Sequence, residues 1–242
     1  MSKCAFISGA SRGIGKGIAE VMASAGYDLA LCCVNNIDSL TEYASTLQRT
    51  FGIHAKAYRL DVSSYSDWEN VSSDIMADFK DINVVINNAG ISYVGLITDM
   101  TPEDWQQIVS TNLDSVFYST KVFLPKMINR KSGHIINISS MWGERGASCE
   151  VAYSATKGGI NAFTRALAKE VASSNISVNS IACGVIDTDM NSCFGEEEMS
   201  GLVDEIPACR LGTPTEVGGL VLSILNSPSY MTGQIIGLDG GI

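Results

Sequence analysis

Several features are scarce in this chain of 242 residues, and each scarcity removes a class of protein. Histidine occurs only at His54 and His134, and no C-x-x-C spacing is present, so no metal site is expected. The seven cysteines, Cys4, Cys32, Cys33, Cys149, Cys183, Cys193 and Cys209, are odd in number. That argues against a disulfide framework and for reduced thiols in a cytoplasmic protein. No apolar run approaches the ~20 residues of a membrane span. The strand-like Ala5-Phe6-Ile7 leads at once into a glycine motif, where a signal peptide needs a longer apolar stretch and a cleavage site. No targeting segment is expected. Basic charge is short as well: 16 Lys and Arg stand against 26 Asp and Glu, a net charge of −10. An acidic surface repels phosphate backbones and anionic lipid, so neither nucleic acid nor a membrane is an expected partner. With only five prolines and no Ser/Gly/Pro-rich linker, residues 1–242 are expected to form one domain.

What is present is apolar residue, 45% of the chain, arranged in a repeating order. Short β-like runs cover Cys4–Ser8, Leu29–Val34, Ala55–Leu60, Val84–Asn87, His134–Ser139, Ser177–Ala182 and Gln234–Leu238. They are almost continuously apolar, as parallel strands buried on both faces must be. Stretches long enough for crossover helices separate them. The fold class expected is α/β, a single-domain Rossmann-like doubly wound parallel sheet with helices on both faces. One helix start is explicit: Thr101 as N-cap, Pro102 at the first helical position, then Glu103 and Asp104. Its apolar stripe runs Trp105, Ile108, Val109, Leu113, Val116, Phe117, and Asn112 falls within it. A buried amide without partners costs several kcal/mol, on the order of 2–7, so Asn112 needs a reason to be there.

Gly9-Ala10-Ser11-Arg12-Gly13-Ile14-Gly15 follows the first strand and opens a helix. Glycines in that position allow a tight turn and let a pyrophosphate sit on the helix N-terminus. Arg12 opposes the helix dipole, which makes sense if a dianion binds there. A nicotinamide cofactor with a 2′-phosphate supplies one, and a guanidinium grips phosphate well. The second strand ends Val34-Asn35-Asn36, without the acid that would hold an unphosphorylated ribose. Asn35 and Asn36 are therefore the cofactor-facing candidates at that end, and NADPH is favoured over NADH. Tyr153 and Lys157 stand four residues apart on one helix face with Ile160, Phe163, Thr164 and Leu167. Charge on such a stripe is expensive unless used. A nearby ammonium lowers the pKa of a phenol, and that is the relation expected of this pair. Asn87-Asn88-Ala89-Gly90 closes the fourth strand and Ser139-Ser140 the fifth, where an open parallel sheet binds ligands.

This whole set resembles the short-chain dehydrogenase/reductase family, over essentially the entire chain. The resemblance places a catalytic tetrad on Asn112, Ser140, Tyr153 and Lys157. It implies cofactor contacts at Gly9, Ser11, Arg12, Gly13, Ile14 and Gly15, at an adenine-contacting pair Asp61-Val62, and at Asn88, Ala89 and Gly90. It adds Gly184, Ile186 and Thr188, in a segment next to nicotinamide where Cys183 replaces the usual proline. It implies that Tyr153 protonates the alkoxide, Ser140 steadies it, Lys157 also holds the nicotinamide ribose, and Asn112 orders a water chain. It implies a homotetramer. The general likeness is to bacterial 3-oxoacyl-(acyl carrier protein) reductases of fatty acid biosynthesis, through Ala10 to Gly15 and Arg210-Leu211-Gly212. A narrower likeness, through Ser140 to Gly143, Gly146 to Val151 and Glu205 to Pro207, is to reductases of 5-aminopentanone-modified elongation factor P. The substrate expected is thus a small or carrier-bound ketone, with acyl carrier protein or elongation factor P as partner. The reading of another class is a catalytically silent NADP(H) sensor, for which parts of the tetrad should be lost.

Other residues have plainer readings. His54 and His134 are expected to be structural, Trp142 to line a pocket or pack, and Cys183 to be a buried small thiol. Glu196-Glu197-Glu198 reads either as a selector of cationic substrate or as a solvated helix start.

Overall fold

Strands that are apolar on both faces need cover on both, and the chain supplies it by alternating strand and helix. A computed structural model describes residues 3–191 and 195–242; Cys193 lies outside the described residues, as does the side chain of Glu196. The strands are β1 (Cys4–Ile7), β2 (Asp28–Cys33), β3 (Ala55–Arg59), β4 (Val84–Asn87), β5 (Gly133–Ser140), β6 (Ile176–Cys183) and β7 (Ile235–Leu238). They form one sheet in the order β3-β2-β1-β4-β5-β6-β7. Every pairing is parallel. No strand end departs by more than one residue from the apolar runs of the sequence.

Alternation along each strand divides the core in two. Ala5, Ile7, Leu29 and Leu31 face α1 (Gly13–Ser24), α2 (Ile37–Phe51) and α9 (Pro214–Leu225), meeting Ile18, Met22, Leu40, Val217 and Val221. Phe6, Ala30, Cys32 and Val85 face α3 (Tyr65–Phe79), α5 (Ser115–Arg130) and α7 (Val151–Val171), meeting Trp68, Phe123, Met127 and Leu167. Phe6, Trp68 and Phe123 interlock, with ring centroids 5.0–6.2 Å apart. From β1 the chain winds outward through β2 and β3, then returns to β4 on the other side of β1. That reversal opens a crevice at the carboxyl ends of β1 and β4, the natural ligand position in such a sheet.

The helix beginning at Thr101 is not continuous. Its N-terminus forms as its residues dictate: Thr101 Oγ1 accepts the Asp104 N–H at 3.1 Å and Asp104 returns a bond to the Thr101 N–H. But α4 (Pro102–Val109) gives way to a π-helical turn at Ser110–Asp114 before α5 continues. The extra residue in that turn shifts the helical register. Trp105 and Phe117 are 39% and 49% exposed, contrary to the fully buried stripe expected, while Ile108 and Val116 are buried. Asn112 sits in the π turn and is 1% exposed. Among the described residues no helix is long and apolar enough to cross a membrane.

Candidate active site

The glycine loop is bolted to β4 by side chains on both sides of the crevice. Ser8 Oγ accepts the main-chain N–H groups of Asn88 and Ala89 at 3.0 and 3.1 Å. The Asn88 amide donates back to the carbonyls of Ser8 and Gly9 at 2.9 and 3.1 Å. Asn88 is thus spent on shaping the loop. The loop is correspondingly tight: a Cβ on Gly15 would lie 2.3 Å from the Gly9 carbonyl oxygen, and Gly9 itself has φ +65°. No acid stands in the first turn of α1, and Arg12 flanks it. A bare main chain, an open helix N-terminus and a cation together suit a pyrophosphate-bearing cofactor.

Asn112, Tyr153, Lys157 and Ser140 come from three elements that the fold brings to the ends of β4 and β5. Each is held by named partners. The Asn112 amide accepts the Ile91 N–H at 2.8 Å and donates to the Ile91 carbonyl and Thr156 Oγ1 at 2.9 and 3.1 Å. Thr156 Oγ1 donates in turn to the Tyr153 carbonyl at 2.8 Å, so Asn112 braces the turn of α7 that carries the tyrosine. This answers the cost of burying the amide. The Lys157 ammonium, 4% exposed, donates to the Ile138 carbonyl at 2.8 Å and lies 5.4 Å from the centre of the Tyr153 ring. Ser140 Oγ accepts the Trp142 N–H at 3.2 Å, where the short α6 (Trp142–Arg145) begins. Beneath them a buried chain of bonds runs from Ser119 to Asn87, from Asn87 to Asn137 and from Asn137 to Thr164, at 2.7–2.9 Å. It ties α5, β4, β5 and α7 into one support. Thr156, Ile138, Asn137 and Thr164 carry no signal in a single sequence, because their importance lies in what they touch.

The electrostatics of the pair differ from the sequence expectation. Burial pushes the Tyr153 phenol well above its ordinary range; a hydrogen bond with Ser140 opposes this, and Glu150 adds to it. Burial lowers the Lys157 ammonium to about 8, with Cys183 opposing. The phenol therefore stands higher, not lower, because the desolvation of its charged form is the largest influence on it.

Other expected contacts are placed less directly. Asp61 Oδ1 accepts the N–H and hydroxyl of Ser63 at 2.9 and 2.6 Å, a local turn, and the Val62 carbonyl accepts the Trp68 indole N–H at 3.0 Å. Asn35 and Asn36 are exposed at the end of β2, Asn36 in the left-handed region with φ 59°. Cys183 ends β6 beside Ser140, and its carbonyl accepts the Met141 N–H at 2.9 Å, so the strand runs on without the proline. Burial pushes its thiol up to about 12, although Lys157 opposes this. Gly184 packs on Asp239, where a Cβ would be 2.6 Å from the Asp239 Cα. Ile186 bridges to Gly212, and the Thr188 side chain lies against Gly13. Asp189, which sequence reasoning passed over, meets Arg12 at 3.5 Å in an exposed pair. His54 stacks on Phe79, and His134 Nδ1 bonds to Ser177 Oγ at 2.8 Å, both remote from these residues and structural. Glu198 accepts the Gly195 N–H at 2.8 Å at the start of α8 (Glu196–Glu205), a solvated helix start.

Known proteins resemble this chain over most or all of its length. The family model described as short chain dehydrogenase matches residues 3–199. An uncharacterized oxidoreductase, YmfI, of Bacillus subtilis is 41% identical over 242 residues, covering 100% of this chain and 99% of that protein. The 3-oxoacyl-[acyl-carrier-protein] reductase FabG of Escherichia coli is 34% identical over 243 residues, covering 99% and 97%. That of Chlamydia muridarum is 37% identical, covering 100% and 98%.

Proposed function

The chain belongs to the short-chain dehydrogenase family of oxidoreductases, and from that premise we propose that it reduces a ketone to a secondary alcohol with NADPH. The supporting observation is the grouping of half-buried Tyr153 with buried Lys157 and Ser140 at the carboxyl end of the sheet, with Asn112 bracing it. The cofactor would lie along Gly9, Ser11, Gly13, Ile14 and Gly15, with Arg12 and the Asn35-Asn36 end at its 2′-phosphate. Asp61 and Val62 would meet adenine, and Asn88, Ala89 and Gly90 would line the crevice. Gly184, Ile186 and Thr188 would meet nicotinamide. When bound, it supplies hydride to the carbonyl carbon.

The chain's own residues manage the oxygen. Tyr153, kept as a neutral phenol by burial, is a proton donor poised for an oxygen that becomes basic as the carbonyl is reduced. Ser140 Oγ accepts from Trp142 and its hydroxyl is hydrogen-bonded with Tyr153, so the two hydroxyls would meet the carbonyl oxygen together, Ser140 steadying the developing charge. Lys157 spends one N–H on Ile138 and keeps others for a ribose hydroxyl and for support of Tyr153. Asn112 keeps the tyrosine turn in register and orders the water that replaces the proton.

Arg12 is expected to set cofactor choice. Its pair with Asp189 is exposed on both sides and of small worth, so Arg12 would be free to turn to a phosphate dianion. NADPH should bind more tightly than NADH, and Arg12→Ala should remove most of the difference, roughly 10- to 100-fold. Fluorescence titration of both cofactors decides this; equal affinities in the intact protein defeat it.

For the substrate, a 3-oxoacyl group on acyl carrier protein follows the named relatives from Escherichia coli and Chlamydia muridarum. A ketone on a modified lysine of elongation factor P is the second reading, favoured by the net charge of −10, which suits an acidic carrier poorly. NADPH oxidation compared on a 3-oxoacyl thioester and on 5-aminopentanonylated elongation factor P separates the two. Failure on both and on activated ketones would leave the silent sensor. We also read residues 1–242 as one domain of a cytoplasmic homotetramer, in which the exposed Trp105 and Phe117 of α4 and α5 are covered by a partner subunit.

A further inference from the structure

A helix of four residues does not hold itself. Forming a first turn is unfavourable, and isolated helices shorter than about 12–15 residues are marginal in water. α6 has only four residues and no side-chain cap at its start. It keeps its place because it is held at three points. At its start, the Met141 N–H donates to the Cys183 carbonyl at 2.9 Å and the Trp142 N–H to Ser140 Oγ at 3.2 Å. In its middle, Gly143 lies against α7: a Cβ there would be 2.7 Å from the carbonyl carbon of Lys157 and 2.8 Å from its oxygen. At its end, the Arg145 guanidinium reaches residues 239–242, which follow β7. Its Nη2 donates to the main-chain oxygen of Ile242 and stands 3.8 Å from Asp239 Oδ2.

The far side of this clasp belongs to the frame of the site. Asp239 is the residue on which Gly184 packs, and the Gly184 N–H donates to the Leu238 carbonyl at 2.9 Å. Asp239 Oδ1 accepts the Gly241 N–H at 3.0 Å, which orients the carboxylate toward Arg145. The Gly240 carbonyl accepts the Ala208 N–H at 3.0 Å, fixing the turn to the chain beyond α8. Arg145 thus joins the segment that carries Ser140 and touches Lys157 to the turn that supports Gly184. As an ion pair with an exposed arginine it is worth little to global stability. Its value lies in position, because Ser140 Oγ receives the Trp142 N–H only while α6 stands where it does.

We infer that Arg145 is a positioning residue for ketone reduction: by tying the end of α6 to the turn after β7, it holds the Ser140 hydroxyl in line with the segment that begins at Gly184. The inference rests on the ketone-reductase reading above and adds to it a residue outside the cofactor-binding and proton-donating set.

The test assays NADPH oxidation on ethyl acetoacetate and on the thioester and elongation factor P substrates above. Arg145→Ala should lower kcat by roughly 10- to 100-fold, the scale of misplacing a reacting group by about 1 Å. NADPH affinity and the melting temperature should stay close to those of the intact protein. Hydrogen exchange of the Trp142 and Gly143 amides should quicken. Arg145→Lys, which keeps the charge but loses the fork, should recover part of the rate. Asp239→Asn keeps an acceptor for the Gly241 N–H and should show a smaller loss, since the bond to Ile242 remains. The double variant Arg145→Ala/Asp239→Asn should be little worse than Arg145→Ala, as partners in one contact are not additive. Unchanged kcat in a folded Arg145→Ala protein overturns the inference, whatever its exchange, and leaves the reductase reading standing. A fall in kcat accompanied by equal loss of NADPH affinity and a lower melt marks a merely structural role and also overturns it. If Arg145→Ala fails to fold, the kcat of Asp239→Asn decides. Reduction of none of the substrates by the intact protein overturns the reductase reading, and the inference with it.

Discussion

Tyr153→Phe is expected to lower ketone reduction by roughly 10²–10⁴-fold while NADPH still binds. The ring is kept and only the hydroxyl is lost, so the packing of α7 over β5 should be undisturbed. What disappears is the proton that burial holds on the phenol at neutral pH. Lys157→Ala should weaken cofactor binding and turnover together, since the same ammonium is proposed to serve both tasks. This variant should remain folded. The folded lysine has its pKa pushed down to about 8, below the unfolded value, so the unfolded chain binds more protons between pH 8 and 10.5. Charged Lys157 therefore subtracts from stability at neutral pH, and that contribution improves as pH rises through this window. The double variant should be little worse than the worse single one, because residues acting as a unit are not additive. A core tyrosine beside an idle lysine would give small, independent effects. Near-normal single-turnover rates in a folded Tyr153→Phe protein would refute the mechanism whichever ketone is used.

Gly15→Ala is expected to cost NADPH affinity by roughly 10- to 100-fold, the scale of the about 1–3 kcal/mol that overpacking a tight site costs. The added Cβ would lie 2.3 Å from the Gly9 carbonyl oxygen and 2.6 Å from the Asn88 amide nitrogen, and neither can yield cheaply. The oxygen is main chain, and the amide is committed to the carbonyls of Ser8 and Gly9. Relief requires the glycine loop to part from β4, which opens the crevice where the pyrophosphate would rest. Gly219→Ala is the control. It lies in α9 with open space at its Cβ position, and alanine in a helix is favoured over glycine by about 1 kcal/mol. That protein should bind NADPH normally and melt slightly higher. Isothermal titration of the two variants separates a damaged cradle from a general loss of stability, and normal binding by Gly15→Ala would refute the cradle.

The sheet was legible because its strands are buried on both faces. Near-continuous runs such as Leu29–Val34 and Ser177–Ala182 leave no other economical arrangement, and each strand lies where its run predicts. The helix after Thr101 was legible at its start, where capping is local, and misleading further on. A π turn inserts one residue without altering composition, so the stripe from Trp105 to Phe117 reads as one face although its ends are exposed. Candidate residues announced themselves where a type was out of place for its pattern: Lys157 on an apolar stripe, Asn112 inside a helix, Arg12 against a dipole. Glu150 is equally out of place, but only once its neighbours are known. An acid before a helix is ordinary in a sequence, and its bond to Ser92 from another segment is visible only in the fold.

By itself, then, the sequence determined the α/β architecture, the glycine turn and the identities of the side chains available for proton transfer, because these follow from periodicity and from the chemistry of single residues. The tertiary structure decided how those side chains are charged and held. It made Asn112 a brace between Ile91 and Thr156, and joined Asn87, Asn137 and Thr164 beneath the site. It also reversed the expected direction of the Tyr153 shift, since the cost of taking a phenol and an ammonium out of water depends on how many atoms surround them, and that is a property of packing in three dimensions.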